Sequence, residues 1–521
     1  MAPDGEHAIA TVTNNVYYFP VPMAGATAPT VAIANPTNAT VPVRRLTRVG
    51  GDFIGWSRDG KSLYYSLGHS FFTYDLTAAE AAAPDSGARR TAYEPARVDV
   101  NITVPRDRPS GTVALVGARI VSMKGTEVID RGTVVVRDNR IVAVGPAEST
   151  TIPADARRID VAGKTIIPGW IDIHAHLGSA NGVHRSQVWA YMMNLAYGVT
   201  TTRNPQTGTT DVLSYGDLVE TGEIAGPRIY STGPGIFSQE NIRNLEDARD
   251  VLRRYAEFYN THTVKEYETG QRNVRQWIIM AARELGLMPT TEGSLDLKMN
   301  LTELFDGYPG HEHTYPIYPL FNDVVQLVAQ SGITYTPTLL VVYGGPWSEN
   351  FWYEHQDIHD DPKVRRFMPH NDVDQRSLRR PQWFRDDQYV FRQMAEQVRK
   401  ILDAGGRVGL GGHGQLQGLG VHWELWSLAA GGIKPIDVIR IGTQLSADGI
   451  GLGKELGSLE PGKLADLQIL DANPLDDIKN TNTIRYVMKN GRLYDGNTLA
   501  EVWPRAKPAE QMWWQPVAPG R

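Results

Sequence analysis

The sequence predicts an α/β protein: a TIM-like (β/α)8 barrel inserted in a small β-sandwich domain formed from both of its flanks, preceded by an all-β segment. Three observations predict it. Residues 171–457 repeat a helical pattern, a short Gly-containing turn and a β-like run ending in polar residues. The stretches on either side, 95–170 and 458–505, share a different texture of aliphatic runs broken by Gly, Asn and Asp turns, which joins them into one domain around the insertion. Residues 1–90 hold β-prone runs that close on a linker.

In chain order, HAIATVTNNVYYFPV reads as two short strands around Asn14-Asn15. FIGWSRDGKSLYYSLGHSFFTYDL repeats the pattern, with turns at Asp59-Gly60 and Gly68. These two meanders resemble two blades of a β-propeller of the kind found in TolB-like proteins. A propeller closes only with several blades, so the resemblance implies a truncated remnant or completion by a second polypeptide. TAAEAAAPDSGA, at 77–88, is a linker by composition. TVALVGARIVSM and VIDRGTVVVRDNRIVAVG then supply strands with a hairpin turn at Asp138-Asn139, and IRYVMKNGRLYDG supplies another at Asn490-Gly491. Between the flanks, VWAYMMNLAYG leads into VTTTRN, NVRQWIIMAARELG into LMPTTEG, DVVQLVAQSG into ITYTPTLL, and FRQMAEQVRKILDAGG into RVGLGGHG. The aromatic and charged stretch 344–387 is long for a connection and reads as a lid or binding element.

The totals narrow the function. A chain of 521 residues holds more than one domain. Its 52 basic and 58 acidic residues leave a formal charge of -6, against a polyanion-binding surface. With no cysteine, thiolate metal sites and a thiol nucleophile are excluded. No apolar run of about 20 residues is present, so no membrane span is expected. MAPDGEHAIATV has neither the basic head nor the apolar core of a signal peptide. The propeller resemblance nevertheless implies a periplasmic or extracellular setting, with a cytoplasmic one as the alternative.

Chemistry concentrates in PGWIDIHAHLG at 168–178. At period two on a strand, His174 and His176 face the same side and could form half of a divalent-metal site. Functional groups of an α/β barrel sit at the C-terminal ends of strands. His174, His176, Lys265, Glu292, His313 and His413 all fall at such ends.

PGWIDIHAHLG, the preceding IDVAGKTIIPG, THTVKEYETG, GSLEPGKLADLQILDANPL and VMKNGRLYDG together resemble the amidohydrolase superfamily, in its imidazolonepropionase-like and prolidase-like branch attached to TolB-like propellers. The resemblance covers about residues 110–495. It implies that His174 and His176 bind one metal, that Lys265 is N-carboxylated and bridges two, and that His313 in GHEHTYP is a further ligand. His311 falls on the same strand face as His313 by period two, and Glu312 is expected to face the wall. Two positions depart from the family pattern: Glu292 stands where a histidine is usual, and His413 stands where an aspartate ligates metal and shuttles the proton. The expected site is one or two divalent ions, zinc foremost with Mn or Fe admissible, held by His174, His176, Lys265, Glu292, His313 and His413, with His413 and His422 as catalytic candidates. Tyr343, Trp347, Trp352 and Tyr353 could wall the pocket or anchor the loop. Arg376, Arg379 and Arg380 could meet a substrate carboxylate. The resemblance puts Arg228, in GPRI, and Tyr230 where the family shapes a barrel loop, without requiring either to touch substrate. The expected activity is hydrolysis of an amide or related C–N bond in a small molecule or short peptide by metal-activated water. Lactone or ester hydrolysis on the same site is the alternative, as are a structural metal and a catalytically weak, propeller-based interaction protein. A homo-oligomer, or a second chain completing the propeller, is the expected protein partner.

Overall fold

The computed structural model describes residues 1–22, 30–33, 38–82, 93–178, 182, 184–378 and 383–515. The chain divides into two units. One comprises Met1–Val104, Ile236–Val264 and Thr269–Met288; the other comprises Pro105–Gly235, Lys265–Glu268 and Pro289–Arg521.

In the first unit, strands His7–Val12 and Asn15–Pro20 form an antiparallel hairpin. Its turn is Thr13-Asn14, one residue earlier than expected, with Thr13 in the left-handed region. Asp52–Trp56, Ser62–Leu67, Ser70–Asp75 and Ala96–Asp99 make a four-stranded antiparallel meander in chain order, its turns carried by Gly60 and Gly68 at positive φ. Among the described residues these sheets do not close into a propeller. The expected linker begins as a helix, Leu76–Ala81, because the Asp75 side chain caps it by accepting from the Ala78 N–H; residues 83–88 lie outside the described ones. Buried Arg254 anchors this unit, donating to Glu240 at 2.7 Å and to the Val49 carbonyl.

In the second unit both flanks enter a single nine-stranded mixed sheet, which branches where Thr112–Val121 pairs with both Arg157–Asp160 and Thr165–Pro168. Strand Thr165–Pro168 is the link: it runs parallel to Thr112–Val121 of the same flank and antiparallel to Leu467–Leu470 of the other. Val113, Leu115, Ile166, Leu467, Ile469 and Met488 bury a common core. The Asn490-Gly491 turn has both residues at positive φ, as a two-residue hairpin requires.

Eight short barrel strands follow in two parallel sheets. The first holds Trp170–Asp172, Val199–Asn204 and Arg228–Ser231; the second holds Thr263–Glu266, Met288–Thr291, Gly310–Glu312, Thr334–Thr336 and Arg407–Val408. Beyond the first and eighth strands a parallel bridge joins Ala175 to His413, and the His413 N–H donates to the His174 carbonyl at 2.8 Å. The result is a distorted TIM-barrel-like core. Helices Arg272–Leu285 and Asn322–Ser331 end where Gly286 and Gly332 take left-handed caps. The stretch 344–387 contains helices Ser348–His355, Pro362–Phe367 and His370–Ser377. Trp352 and Tyr353 are buried there, and the Trp352 indole donates to Ser427. These two rings anchor the excursion, whereas Trp347 is exposed.

Candidate metal centre

Strand one delivers the first two imidazoles. Buried Asp172 accepts from the backbone N–H of His174 and of Gly412, both at 3.1 Å, and so pins strand one to the end of strand eight. His174 is fully buried, and its Nε2 lies 3.2 Å from His176 Nε2. The His413 ring stacks on His174 with centroids 4.9 Å apart, and His313 lies 5.1 Å from His174 and 5.2 Å from His413. One ligand atom from each of His174, His313 and His413 can be chosen so that all lie within 4.8 Å of one another.

His313 and His413 have φ of 69° and 59°, a region costly for a residue with a Cβ. Such strain persists where the surroundings impose it, and it clusters at functional sites. It also corrects the face count on strand six. Glu312 points into the barrel, His311 packs outward against Tyr315 and Glu303, and the left-handed turn at His313 swings its ring back inside. Thr338 occupies His313 Nδ1 at 2.7 Å, leaving Nε2 to face the centre. His413 Nδ1 is buried without a hydrogen-bond partner, and His313 Nε2 faces the Glu292 carboxylate at 3.0 Å. Imidazole nitrogens converging beside a carboxylate are a donor set for a divalent ion, so the residues present fit one.

Lys265 stands beside them between two carboxylates. Its Nζ lies 2.6 Å from Glu292 Oε2 and contacts Glu312 Oε2. Glu292 Oε1 is 3.0 Å from His313 Nε2 and 3.3 Å from the Tyr343 hydroxyl, whose ring stacks on His313 at 4.6 Å. The Glu292 side chain is 22% exposed where that of Lys265 is 0%, which makes the carboxylate the more accessible of the pair.

The amidohydrolase family matches residues 165–494. The chain belongs to the amidohydrolase family. Among curated relatives, an adenine deaminase of Rubrobacter xylanophilus is 34% identical over 96 residues, 18% of this chain and 16% of the relative. An imidazolonepropionase of Symbiobacterium thermophilum is 46% identical over 59 residues, 11% of this chain and 14% of the relative. This amidohydrolase thus aligns with about a sixth of the length of those relatives. Among solved structures, an Xaa-Pro dipeptidase with bound methionine superposes with a TM-score of 0.58 at 19% identity, over 74% of this chain and 100% of that one. A putative prolidase from Bifidobacterium longum gives 0.56 at 24% identity, over 77% and 97%. At such identities the likeness is one of fold.

Electrostatics prepare the amidohydrolase centre for a cation. Burial, reinforced by the Lys265 charge, holds His174 well below the ordinary histidine value and His176 at about 4. Burial, with neighbouring His176, does the same to His413. All three are therefore neutral near pH 7, the form that ligates. Burial lowers Lys265 to about 8. Burial pushes Glu292 up, but the Lys265 charge and the His313 hydrogen bond outweigh it and leave the carboxyl well below its ordinary value.

A cavity of about 240 Å³ opens beside His176, lined among others by Arg185, Gln187, Trp189, Arg376, Gln417 and Trp513. Arg376 also donates to the Gln415 carbonyl; Arg379 and Arg380 lie outside the described residues. His422 is not brought to the centre. It is buried in helix Leu419–Ala430, with Nδ1 on the Thr481 hydroxyl and Nε2 on the Tyr197 carbonyl, both at 3.0 Å, so neither nitrogen is available for proton transfer. Arg228 is likewise structural, paired with Asp466 at 2.7 Å. Tyr230 follows it on the strand Arg228–Ser231. Reading the sequence missed Asp172, Arg203 and an inward Glu312. The available signal was a charged residue inside each of the β-like runs WIDI, VTTTRN and GHEH.

Proposed function

We propose that this amidohydrolase hydrolyses an amide or related C–N bond with a divalent ion, zinc foremost, held by His174, His176, His313 and His413. The carrying observation is the convergence of neutral, buried or half-buried imidazoles from three strands, with the Nε2 atoms of His174 and His176 3.2 Å apart. A bound ion supplies Lewis-acid polarisation of a carbonyl and a water acidic enough to attack it near neutral pH. The residues around it do the rest. Glu292, ionised and accessible, is placed to accept a proton at Oε1 and return it to the leaving amine, with Tyr343 fixing that oxygen. His413 serves as ligand in this reading, and the shuttle passes to Glu292.

Lys265 is read as an unmodified ammonium. Two carboxylates already neutralise it, and N-carboxylation would add a third negative charge that only a second ion could balance. The cavity guanidinia of Arg185 and Arg376, beside Trp189 and Trp513, suit an anionic substrate with an apolar part, such as an acyl amino acid or short peptide. The propeller-blade reading of residues 1–90 is supported by the four-stranded meander, and export from the cytoplasm follows only from that reading.

Elemental analysis and hydrolysis assays on an amide and ester panel test the reading, with His174→Ala alongside. Wild-type protein should hold about one equivalent of zinc and cleave amides, and the variant should lose both. A folded wild type that takes up no metal and cleaves nothing on the panel would reject it.

A further inference from the structure

We infer that Glu312, braced by Arg203 and Thr290, is the positioning residue of the metal centre. It orients His174, selects its tautomer and holds the Lys265 ammonium at a fixed place. The inference rests on the metal-dependent reading above.

The two oxygens of Glu312 are divided between two tasks. Oε1 is the braced one: it accepts from Arg203 Nη1 at 2.5 Å and from the Thr290 hydroxyl at 2.9 Å. Arg203 also donates through Nη2 to Thr290 Oγ1 at 2.6 Å and through Nη1 to the Ile173 carbonyl at 3.3 Å. Strands one, two, five and six thus meet on one carboxylate that is 2% exposed. Oε2 turns the other way. It contacts Lys265 Nζ and lies 3.2 Å from His174 Nδ1. That last contact is not yet aligned as a hydrogen bond, and a small turn of the ring completes it, as site contacts commonly tighten on loading.

The chemistry follows from what a carboxylate can do. Ionised, it only accepts hydrogen bonds, so the facing Nδ1 must carry the imidazole proton. The lone pair is then on Nε2, the nitrogen that faces His176. A neutral imidazole with no such partner divides between tautomers and turns more freely, and both effects weaken ligation. Partners of this kind typically govern about 10- to 100-fold in metal affinity. Arg203 does for Glu312 what Glu312 does for His174. Its fork prevents the carboxylate from rotating and ligating the ion itself.

The test is a cobalt titration of chelator-stripped protein, followed by visible absorbance, for wild type, Glu312→Gln and Thr290→Val. Glu312→Gln keeps the shape and removes the charge. It should bind Co2+ about 10- to 100-fold more weakly, with a displaced d–d band. Thr290→Val should shift affinity in the same direction by less. A purely structural Glu312 would change melting of the stripped protein and leave affinity and band unmoved in the folded fraction, and that result overturns the inference. Should Glu312→Gln fail to fold, Thr290→Val decides, and unchanged affinity there overturns it. Wild type that binds no Co2+ removes the metal-dependent reading as well. Wild type that binds while Glu312→Gln binds equally removes only this inference.

Discussion

At the scale of single residues, the centre is built from groups whose charge the barrel has chosen. The imidazoles are kept neutral by burial, while Glu292 stays ionised because the Lys265 ammonium is 2.6 Å away. In the proposed mechanism Glu292 is the residue on which proton movement turns. Glu292→Gln should lower kcat by about 10²- to 10⁴-fold, the usual contribution of a general acid–base group, while zinc content measured by elemental analysis stays at the wild-type level. Loss of zinc in that variant would instead make Glu292 a ligand. Lys265 Nζ in turn lies between the carboxylates of Glu292 and Glu312.

At the scale of elements, strand ends and hairpin turns decide where these groups stand. The left-handed φ at His313 and His413 redirects two side chains that simple alternation would have placed elsewhere. The Asn490-Gly491 turn shows the same physics in the β domain. Gly491 sits at φ 78°, and a Cβ there would lie 2.2 Å from the Asp138 carbonyl oxygen in the other hairpin turn. The two turns are also linked by the Asn139 side chain donating to Asn490. Gly491→Ala should thus destabilise the protein by about 1–3 kcal/mol, measured as a lowered denaturation midpoint. An unchanged midpoint would mean that the turns separate at little cost.

At the scale of the whole molecule, stability should be bounded in pH from both sides by buried groups remote from catalysis. Burial depresses His422 from 6.5 to about 3, although its bond to the Tyr197 carbonyl opposes the shift. Between those values the unfolded chain binds a proton that the folded one does not, so stability falls as pH drops from about 6.5 towards 3. Glu424 acts oppositely. Burial raises it from 4.5 to about 8, against hydrogen bonds from the Leu339 and Leu340 N–H groups, so its contribution is lost as pH rises through that window. Urea denaturation of wild type and His422→Gln between pH 7 and 4 separates the two. The wild type should lose more stability over that range, by up to a few kcal/mol, and parallel curves would show that His422 does not drive the acid limb. Helix Leu419–Ala430, which carries both groups, is thus a structural column, and its histidine belongs to the core.

How much of this was legible in the sequence depends on the range of the interaction. The hairpins at Asp138 and Asn490, the helices capped by Gly286 and Gly332, and the His174–His176 pair all follow from contacts within a few residues of one another. Alternation, left-handed glycines and a period-two histidine pair are local facts, and local facts are written in order along the chain. Tertiary structure alone decided that Glu312 faces inward, that His311 and His422 do not reach the centre, and that Arg203 lies behind the ligands. The physical reason is that periodicity says which residues share a face but not which face becomes the barrel's interior. A single left-handed φ at His313 then breaks the count. Charges in those positions are tolerated only because partners up to 109 positions distant, as between Arg203 and Glu312, arrive to neutralise them.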